Sequence, residues 1–236
     1  MVDNLPVHIG IIPDGNRRWA AAKGVPKIEG HRAGAERMHQ VVEDLVKLGI
    51  GYLTVWGFST DNWKRDDDEV CSIFDLLELW IRKDTPWLHQ NNVRLRHIGR
   101  LYELPESLQD AVKSAVALTV QNSGMTLNLA FNYSGRAEIV DAVRRLIDSG
   151  RLWEPAMSCP QLDENLFSRY LYTDGTPDVD LVIRTAGEFR LSNFMLWQTA
   201  YSEYYFTEAL WPDFNKEELD KALAAYTQRR RRFGGD

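Results

Sequence analysis

HIGIIPDGNRRWA, residues 8–20, passes from an apolar run through a turn at Asp14-Gly15-Asn16 into two arginines and a tryptophan. The run reads as a buried strand, and the residues after the turn open a helix. Gly15 permits a tight turn or a close backbone approach. The free N–H groups and positive dipole end of the new helix favour an anion, and Arg18 adds a bidentate donor suited to phosphate oxygens. Asp14 is then out of place, because a carboxylate repels phosphate. Mg²⁺ removes the conflict, since it takes one or two carboxylates together with phosphate oxygens and water. The competing reading is an aspartate that merely caps the helix.

The same alternation continues along the chain. Strand-like runs are HIGII (8–12), YLTVWGF (52–58), VRLRHIG (93–99), TLNLAFN (126–132) and VDLVIRT (179–185), with YYF (204–206) as a sixth. Helical patterns fall between them at 33–49, 69–90, 105–121 and 135–150, and residues 151–178 read as a connection with a short helix in DENLFSRYLY. Strand and helix periods in alternation build parallel sheets with crossover helices. The expected fold is a single α/β domain spanning 1–236, with a mostly parallel six-stranded sheet flanked by helices.

The 236 residues carry a formal net charge of −6, which excludes a general polyanion binder such as a DNA-coating protein, so any affinity for phosphate is local. Cys71 and Cys159 lie far apart without CxxC spacing and read as buried thiols in a reducing cytoplasm. The N-terminal MVDNLPVHIGII lacks the pattern of a signal peptide, and no apolar run is long enough to span a bilayer. The expectation is a soluble, cytoplasmic protein. Taken alone, the run RRRR (229–232) is a solvated helix end.

In open parallel sheets, ligands bind beyond the carboxyl ends of the strands. The first, second, fourth and fifth strands end in PDGNRR, STDNWKR, NYSGR and RTAGEFRLSN, all polar and rich in Asn, Ser and Arg. The last supplies Arg184, Arg190 and Ser192 for a second phosphate group, with Gly187 allowing a tight bend. Two phosphate sites in one cleft suggest a transferase. Neither GxxxxGK[ST] nor GxGxxG occurs, so the usual nucleotide sites have no support. Phe58 and Trp63 offer an apolar wall beside the polar head. The helix carrying Ile73, Leu76, Leu77, Trp80 and Ile81 is apolar enough to line a tunnel, although core packing is the stronger reading of such a stripe. Asp66-Asp67-Asp68-Glu69 is like the aspartate-rich motif of the all-helical trans-prenyl synthases, but no second such motif occurs and the alternating pattern contradicts that fold. Acidic residues in a first helical turn complement the dipole.

HIGIIPDGNRRWA, GHRAGAER, FSTDNWKRDDDEV, NVRLRHIG, LNLAFNYSGRAEIVDA, PDVDLVIRTAGEFRLSNFMLWQTAYSEYYF, LWPDF and RRRRFGG together resemble the cis-prenyltransferase family, of the undecaprenyl diphosphate synthase type, over nearly the whole chain. The resemblance implies a fold with an apolar tunnel and a Mg²⁺-dependent reaction. Isopentenyl diphosphate adds to an allylic diphosphate, farnesyl or geranylgeranyl, and each new double bond is cis. Carried over by position, Asp14 is the magnesium-associated carboxylate. Gly15, Asn16, Arg17, Arg18 and Trp19 belong to the allylic diphosphate site, with His31, Arg65 and Lys27, the last standing where the family often has arginine. Asp14, His31, Asn62 and Ser59 form the catalytic constellation, and Glu69 matches a further functional position. Arg184, Arg190 and Ser192 match the isopentenyl diphosphate site. Glu203 matches a glutamate near metal and substrate. Family members act as homodimers, and Arg232-Phe233-Gly234 matches a tail element that reaches into the partner's active site, which assigns Arg232 and Gly234 to the isopentenyl site.

The resemblance also assigns Gly57, Phe58, Trp63 and Leu127 to the tunnel. Gly57 stands where short-product members can carry a bulky side chain. A glycine there leaves the tunnel open and favours a product of about C50–C55, while Trp56, Trp80 or Trp87 could narrow it by other routes. So apolar a product implies transient membrane contact at release. The alternatives are a short-chain Z-prenyl synthase, irregular head-to-middle coupling of two allylic diphosphates, and a non-catalytic partner subunit. The intact Asp14 loop argues against the last, and Arg184, Arg190 and Ser192 speak for the regular reaction.

Overall fold

The computed structural model describes residues 5–150 and 162–229. Strand β1 (His8–Ile12) is buried at all five positions and β4 (Thr126–Tyr133) at all eight. Burial of consecutive residues is what strands covered by helices on both faces require. With β2 (Tyr52–Ser59), β3 (Arg94–Ile98), β5 (Leu181–Arg184) and β6 (Glu203–Phe206) they form one six-stranded sheet, ordered β3-β4-β2-β1-β5-β6, in which every neighbouring pair is parallel. All six expected runs are strands.

The helices are α1 (Asn16–Lys23), α2 (Lys27–Lys47), α3 (Asp67–Gln90), α4 (Glu106–Thr119), α5 (Gly135–Asp148), α6 (Glu164–Ser168) and α7 (Lys216–Thr227). The sequence pattern placed the start of α2 at residue 33, but the helix begins at Lys27. Its first turns, KIEGHR, carry Lys27 and His31 toward a polar hollow instead of the core, so they show no apolar period. Helix α7 was not anticipated, although Leu219, Ala222, Leu223 and Tyr226 are buried at helical spacing and Asn215 caps it through Glu218 N at 3.1 Å. Cys71 is exposed, against the expectation of a buried thiol, and Cys159 lies outside the described residues.

Side chains alternate across the sheet, so each strand feeds two cores. Ile9, Ile11, Leu53, Val55, Leu127, Leu129 and Phe131 pack under Met38, Val42 and Leu45 of α2 and Ile73, Leu77 and Trp80 of α3. Ile12, Ala130, Tyr133 and Val182 pack with Phe194 and Met195 on the other face. Among those opposite-face residues His8 is fully buried, with Nε2 2.8 Å from Thr54 Oγ1 and Nδ1 2.7 Å from the Pro177 carbonyl.

Two features of the sheet position the site. The strand order grows away from β1 on both sides, through β2 on one and β5 on the other, so the exits of these three strands meet where the winding reverses. Within β2, Trp56 pairs with Ala130 and Phe58 with Phe131, which leaves Gly57 as the extra residue of a bulge. A Cβ on Gly57 would stand 3.0 Å from Phe131 Cδ2, over the inner face of the sheet.

Candidate active site

At that reversal a mouth of about 730 Å³, lined by the Asp14 to Arg18 loop, Lys27, His31, Arg65, Glu188 and Arg190, opens on an inner pocket of about 330 Å³. Asp14, Asn16, His31 and Arg65 line both. The inner pocket is walled by Met38, Val55, Phe58, Ile73, Leu77, Trp80, Leu129 and Phe131. A side hollow of about 390 Å³ lies beside His31, between Lys27, Asp66 and Glu69.

Asp14 is held through both its backbone and its side chain. Its N–H donates to Thr185 Oγ1 at 2.8 Å, and its carbonyl accepts from the same hydroxyl at 2.7 Å and from Trp211 N at 2.9 Å. Its side chain accepts from Gly15 N at 2.8 Å and from Arg184 Nη2 at 2.9 Å. The helix-cap alternative does not hold: Gly15 is the N-cap of α1 and no side chain caps the helix, so its first-turn amides remain available to an anion. Gly15 has φ 105°, and a Cβ there would stand 2.9 Å from Leu210 Cδ2 and 3.0 Å from Ala186 Cβ. That position accepts only glycine without rearrangement.

Arg184, at the end of β5, is only 4% exposed. It donates to the Arg190 carbonyl and to Ser192 Oγ at 2.8 Å, while its Nε has no partner. The loop that follows turns through left-handed backbone at Ala186, Gly187, Ser192 and Asn193. Such backbone persists where its surroundings fix it. Here the fourth loop does so: Gly135 N donates to the Asn193 carbonyl at 2.7 Å and Arg136 N to its Oδ1 at 2.8 Å. NYSGR was expected among the convergent ligand loops; instead it braces the fifth loop, and residues 132–136 do not line the pocket.

Carboxylates and cations alternate around the mouth. Arg184 meets Asp14, Asp14 lies 3.7 Å from Arg18, Arg18 lies 3.8 Å from Glu188, and Glu188 pairs with Arg190. On the other side Glu69 gathers Arg65 at 3.3 Å, Lys27 at 3.4 Å, His31 at 3.5 Å and Arg17 at 3.8 Å. Burial pushes the Glu69 carboxyl up, but Arg17, Arg65 and His31 outweigh it and hold the group below the usual range. Burial, with Arg65 beside it, lowers the His31 imidazole against the opposing pull of Glu69, so the ring is neutral at pH 7 with its Nε2 3.5 Å from Glu69 Oε1.

Ser59 and Asn62 line the pocket but are tied to each other: Ser59 N donates to Asn62 Oδ1 at 3.0 Å and Asp61 N to Ser59 Oγ at 3.1 Å, capping the 3-10 turn Thr60–Lys64. Three assignments are corrected. Trp19 turns away from the mouth and donates to Asp213 at 2.9 Å. Trp63 donates to Asn132 at 2.8 Å and packs edge-on against Phe58 and Phe74, outside the pocket lining. Leu127 shares a strand face with Leu129 and Phe131 but is fully buried below the pocket. Gly57 and Phe58 do line it.

Glu203 is not brought to Asp14 within this chain. It opens β6 opposite Leu181, whereas Arg184 lies opposite Phe206 at the other end of β5. Three strand residues separate the two levels, about 10 Å, and Glu203 instead pairs with Arg229 at 2.7 Å. Arg232 and Gly234 lie outside the described residues. Thr185, Glu188 and Trp211 were missed as site residues. Glu188 had a signal in the charge alternation of GEFR, whereas Thr185 and Trp211 act through backbone contacts that no motif displays.

Among the described residues no group of three or more His, Cys, Asp or Glu could hold a metal unaided. The donor set nonetheless fits Mg²⁺ arriving with a diphosphate, because that ion needs only one or two carboxylates beside phosphate oxygens and water. Asp14 faces both hollows, and the unpartnered Nε of buried Arg184 is a donor left for an anion.

An α/β fold whose cation-lined mouth opens on an apolar pocket is the class these features define. Residues 12–234 match the family described as putative undecaprenyl diphosphate synthase. The chain is 47% identical over 233 residues to an isoprenyl transferase of Clostridium perfringens, covering 99% of this chain and 91% of that protein. A Fusobacterium nucleatum isoprenyl transferase is 47% identical over 235 residues, covering 100% and 98%. The crystal structure of lavandulyl diphosphate synthase from Lavandula x intermedia in complex with dimethylallyl diphosphate superposes with a TM-score of 0.92 at 39% identity, covering 98% of each chain. That of a probable undecaprenyl diphosphate synthase from Campylobacter jejuni gives 0.80 at 32% identity, covering 98% of this chain and 99% of that one. The chain belongs to the undecaprenyl diphosphate synthase family, and it is a prenyltransferase.

Proposed function

We propose that the protein, as one catalytic domain, condenses isopentenyl diphosphate with an allylic diphosphate, farnesyl or geranylgeranyl, to a Z-polyprenyl diphosphate of about C50–C55. The observation that carries this reading is the passage from a cation-rich mouth, through Asp14 and Asn16, directly into an apolar pocket. The first-turn amides of α1, with Arg17, Arg18, Lys27 and Arg65, hold the allylic diphosphate, and the prenyl tail enters the pocket. Arg184, Arg190 and Ser192 hold isopentenyl diphosphate alongside it. Asp14 would hold Mg²⁺ at the mouth, and the ion would supply charge stabilisation for the leaving diphosphate. Fixed donors aimed at that charge lower the barrier, and holding an alkene beside the allylic carbon supplies much of the remaining acceleration. The condensed intermediate must lose a proton, to the departing diphosphate or through a relay of His31, Asn62 and Ser59. We further propose a cytoplasmic homodimer whose tail residues Arg232 and Gly234 complete the partner's isopentenyl site, with product released at a membrane surface. No helix among the described residues is long and apolar enough to cross a membrane.

A second reading, a short-chain Z-prenyl synthase, is favoured by the inner pocket of about 330 Å³, near the lower end of the range for small-ligand sites. One experiment separates them. The protein is incubated with Mg²⁺, labelled isopentenyl diphosphate and, separately, dimethylallyl, geranyl, farnesyl and geranylgeranyl diphosphates, and the products are sized. A ladder reaching about C50–C55 supports the long-chain reading, and a single short product supports the other. Product in a parallel incubation with labelled dimethylallyl diphosphate and no isopentenyl diphosphate points to head-to-middle coupling, and no incorporation with any starter overturns catalysis of this kind.

A further inference from the structure

We propose that Asn193 is a positioning residue for isopentenyl diphosphate: it caps helix α5 from the fifth loop and thereby fixes the neighbouring Ser192 and Arg190, an inference that rests on the condensation reading above. Helix α5 opens at Gly135, and its own N-cap residue, Ser134, makes no side-chain cap. The cap comes instead from beyond β5. Asn193 accepts with both of its oxygens, from Gly135 N at its carbonyl, 2.7 Å away, and from Arg136 N at Oδ1, 2.8 Å away. Two of the amides that a helix start leaves without partners are thus satisfied by a distant loop. Helix α1, at the mouth, has no side-chain cap and keeps its amides for an anion.

The same two bonds hold the loop. Ser192 has φ 51° and Asn193 φ 75°, so two successive residues that carry side chains stand in left-handed backbone. That conformation is unfavourable for such residues, asparagine least among them, and it persists where contacts over-determine it. Arg184 pins the turn from one side, donating to the Arg190 carbonyl and to Ser192 Oγ at 2.8 Å. The cap pins it from the other, at the residue next to Ser192. Gly135 meets the loop at close range: a Cβ there would stand 3.0 Å from Leu196 N and 3.2 Å from the Asn193 carbonyl oxygen. The contact can therefore be disturbed from a second element. Neither Asn193 nor Gly135 lines the pocket or its mouth, and the cations given to the allylic diphosphate sit on α1, α2 and the second loop. A fault in the cap reaches isopentenyl diphosphate through Ser192 and Arg190 and leaves the allylic site intact.

The test compares wild type with Asn193→Ala, Asn193→Asp and Gly135→Ala. Asn215→Ala is the control, because Asn215 caps α7 through Glu218 N at 3.1 Å, the same chemistry away from the site. KM for isopentenyl diphosphate and for the allylic starter is measured with Mg²⁺, beside Tm. Asn193→Ala and Gly135→Ala are expected to raise KM for isopentenyl diphosphate at least about threefold and to hold that for the starter within about twofold, because apparent affinity falls in proportion to the population of the competent loop. Asn193→Asp keeps the Oδ1 acceptor and puts its charge at a helix N-terminus, where it is favoured, so it is expected to restore the wild-type KM. Asn215→Ala is expected to lower Tm and leave both KM values as in wild type. If Asn193→Ala does not fold, Asn193→Gly, which accepts the left-handed backbone but lacks the side-chain oxygen, carries the comparison. An unchanged KM for isopentenyl diphosphate in folded cap variants overturns the assignment, as does an equal rise for both substrates, a failure of Asn193→Asp to restore it, or the same rise in Asn215→Ala. A wild type that condenses no isopentenyl diphosphate with any starter overturns the condensation reading itself, so the two failures are told apart.

Discussion

Asp14→Asn separates charge from shape at the mouth of the pocket. The substitution keeps an oxygen that can accept from Arg184 Nη2, now 2.9 Å away, and removes the negative charge beside Arg184 and Arg18. A hydrogen bond to a charged group is worth about 1.5–3 kcal/mol. The Asp14 side chain is 35% exposed, so solvent already screens part of the ion pair. A loss of about 1 kcal/mol remains, which lowers Tm by roughly 2–4 °C in a chain of this size. The catalytic cost is larger, because removing a group that stabilises developing charge typically slows turnover by about 10²–10³. The assay is incorporation of labelled isopentenyl diphosphate at saturating substrate and Mg²⁺, beside thermal unfolding of the same sample. Turnover is expected to fall at least about a hundredfold while Tm moves a few degrees. Turnover within about tenfold of wild type refutes the metal-supporting role. A Tm loss of about 10 °C or more would make the effect one of folding.

Arg190→Ala should raise KM for isopentenyl diphosphate by about ten- to a hundredfold, as for loss of a charged hydrogen bond, and disturb the allylic substrate far less; equal effects on both overturn the two-site assignment. Gly57→Leu directs a side chain toward Phe131 and Leu129, whose nearest atoms lie 3.0 and 3.7 Å from a Cβ at that position, and should shorten the products. Unchanged product length removes Gly57 from the argument. Burial lowers the pKa of His8 and of His97 from 6.5 to about 4, so both are neutral in the fold at pH 5. As pH falls from 6.5 toward 4 the unfolded chain binds protons that the native state refuses, and stability drops by up to about 3 kcal/mol per histidine. The urea midpoint should therefore fall between pH 7 and pH 5, and His97→Gln should flatten that slope. An unaltered slope in the variant refutes the assignment to His97.

Where the sequence carried local periodicity, the structure was legible. The five-residue HIGII and the eight residues of β4 are continuously apolar or buried because both sheet faces are covered, and they read as strands at once. Gly57 was assigned to the tunnel by the resemblance alone; it lines the inner pocket at a bulge of β2. The start of α2 was hidden because its first turns face the site, where polar residues replace the core period. Trp63 and Leu127 were misplaced for a different reason. Both share an element with real pocket residues, but whether a side chain meets the pocket depends on its depth along a strand or on a partner such as Asn132, and neither is encoded locally. Glu203 shows the same limit, since only strand register reveals that it opens β6 at the end of the sheet away from Asp14.

The distribution of burial among the charged groups assigns them different work. Arg17, Arg18, Lys27 and Arg190 are each about half exposed, with side-chain accessibilities of 50–59%, whereas Arg184 is 4% exposed. Exposed pairs contribute only about 0–1 kcal/mol, so an arriving diphosphate can take Arg18 and Arg190 from the partly exposed Glu188 at small cost, whereas Arg17 and Lys27 face Glu69, whose side chain is only 8% exposed. The carboxylates meanwhile keep the cations near their working positions before a substrate binds, which reduces the ordering needed on binding. Arg184 cannot exchange so freely: it is buried and committed to Ser192, the Arg190 carbonyl and Asp14. Asp14 is fixed in turn by Thr185, Trp211 and Gly15. Mg²⁺ demands near-ideal octahedral geometry and is served poorly by a mobile ligand. Asp14 has its N–H and carbonyl tied to the Thr185 hydroxyl and the Trp211 turn and lines both the mouth and the inner pocket, whereas Glu69 lines only the side hollow and Glu188 only the mouth, and that placement is the physical reason to propose Asp14 as the metal ligand instead of Glu69 or Glu188.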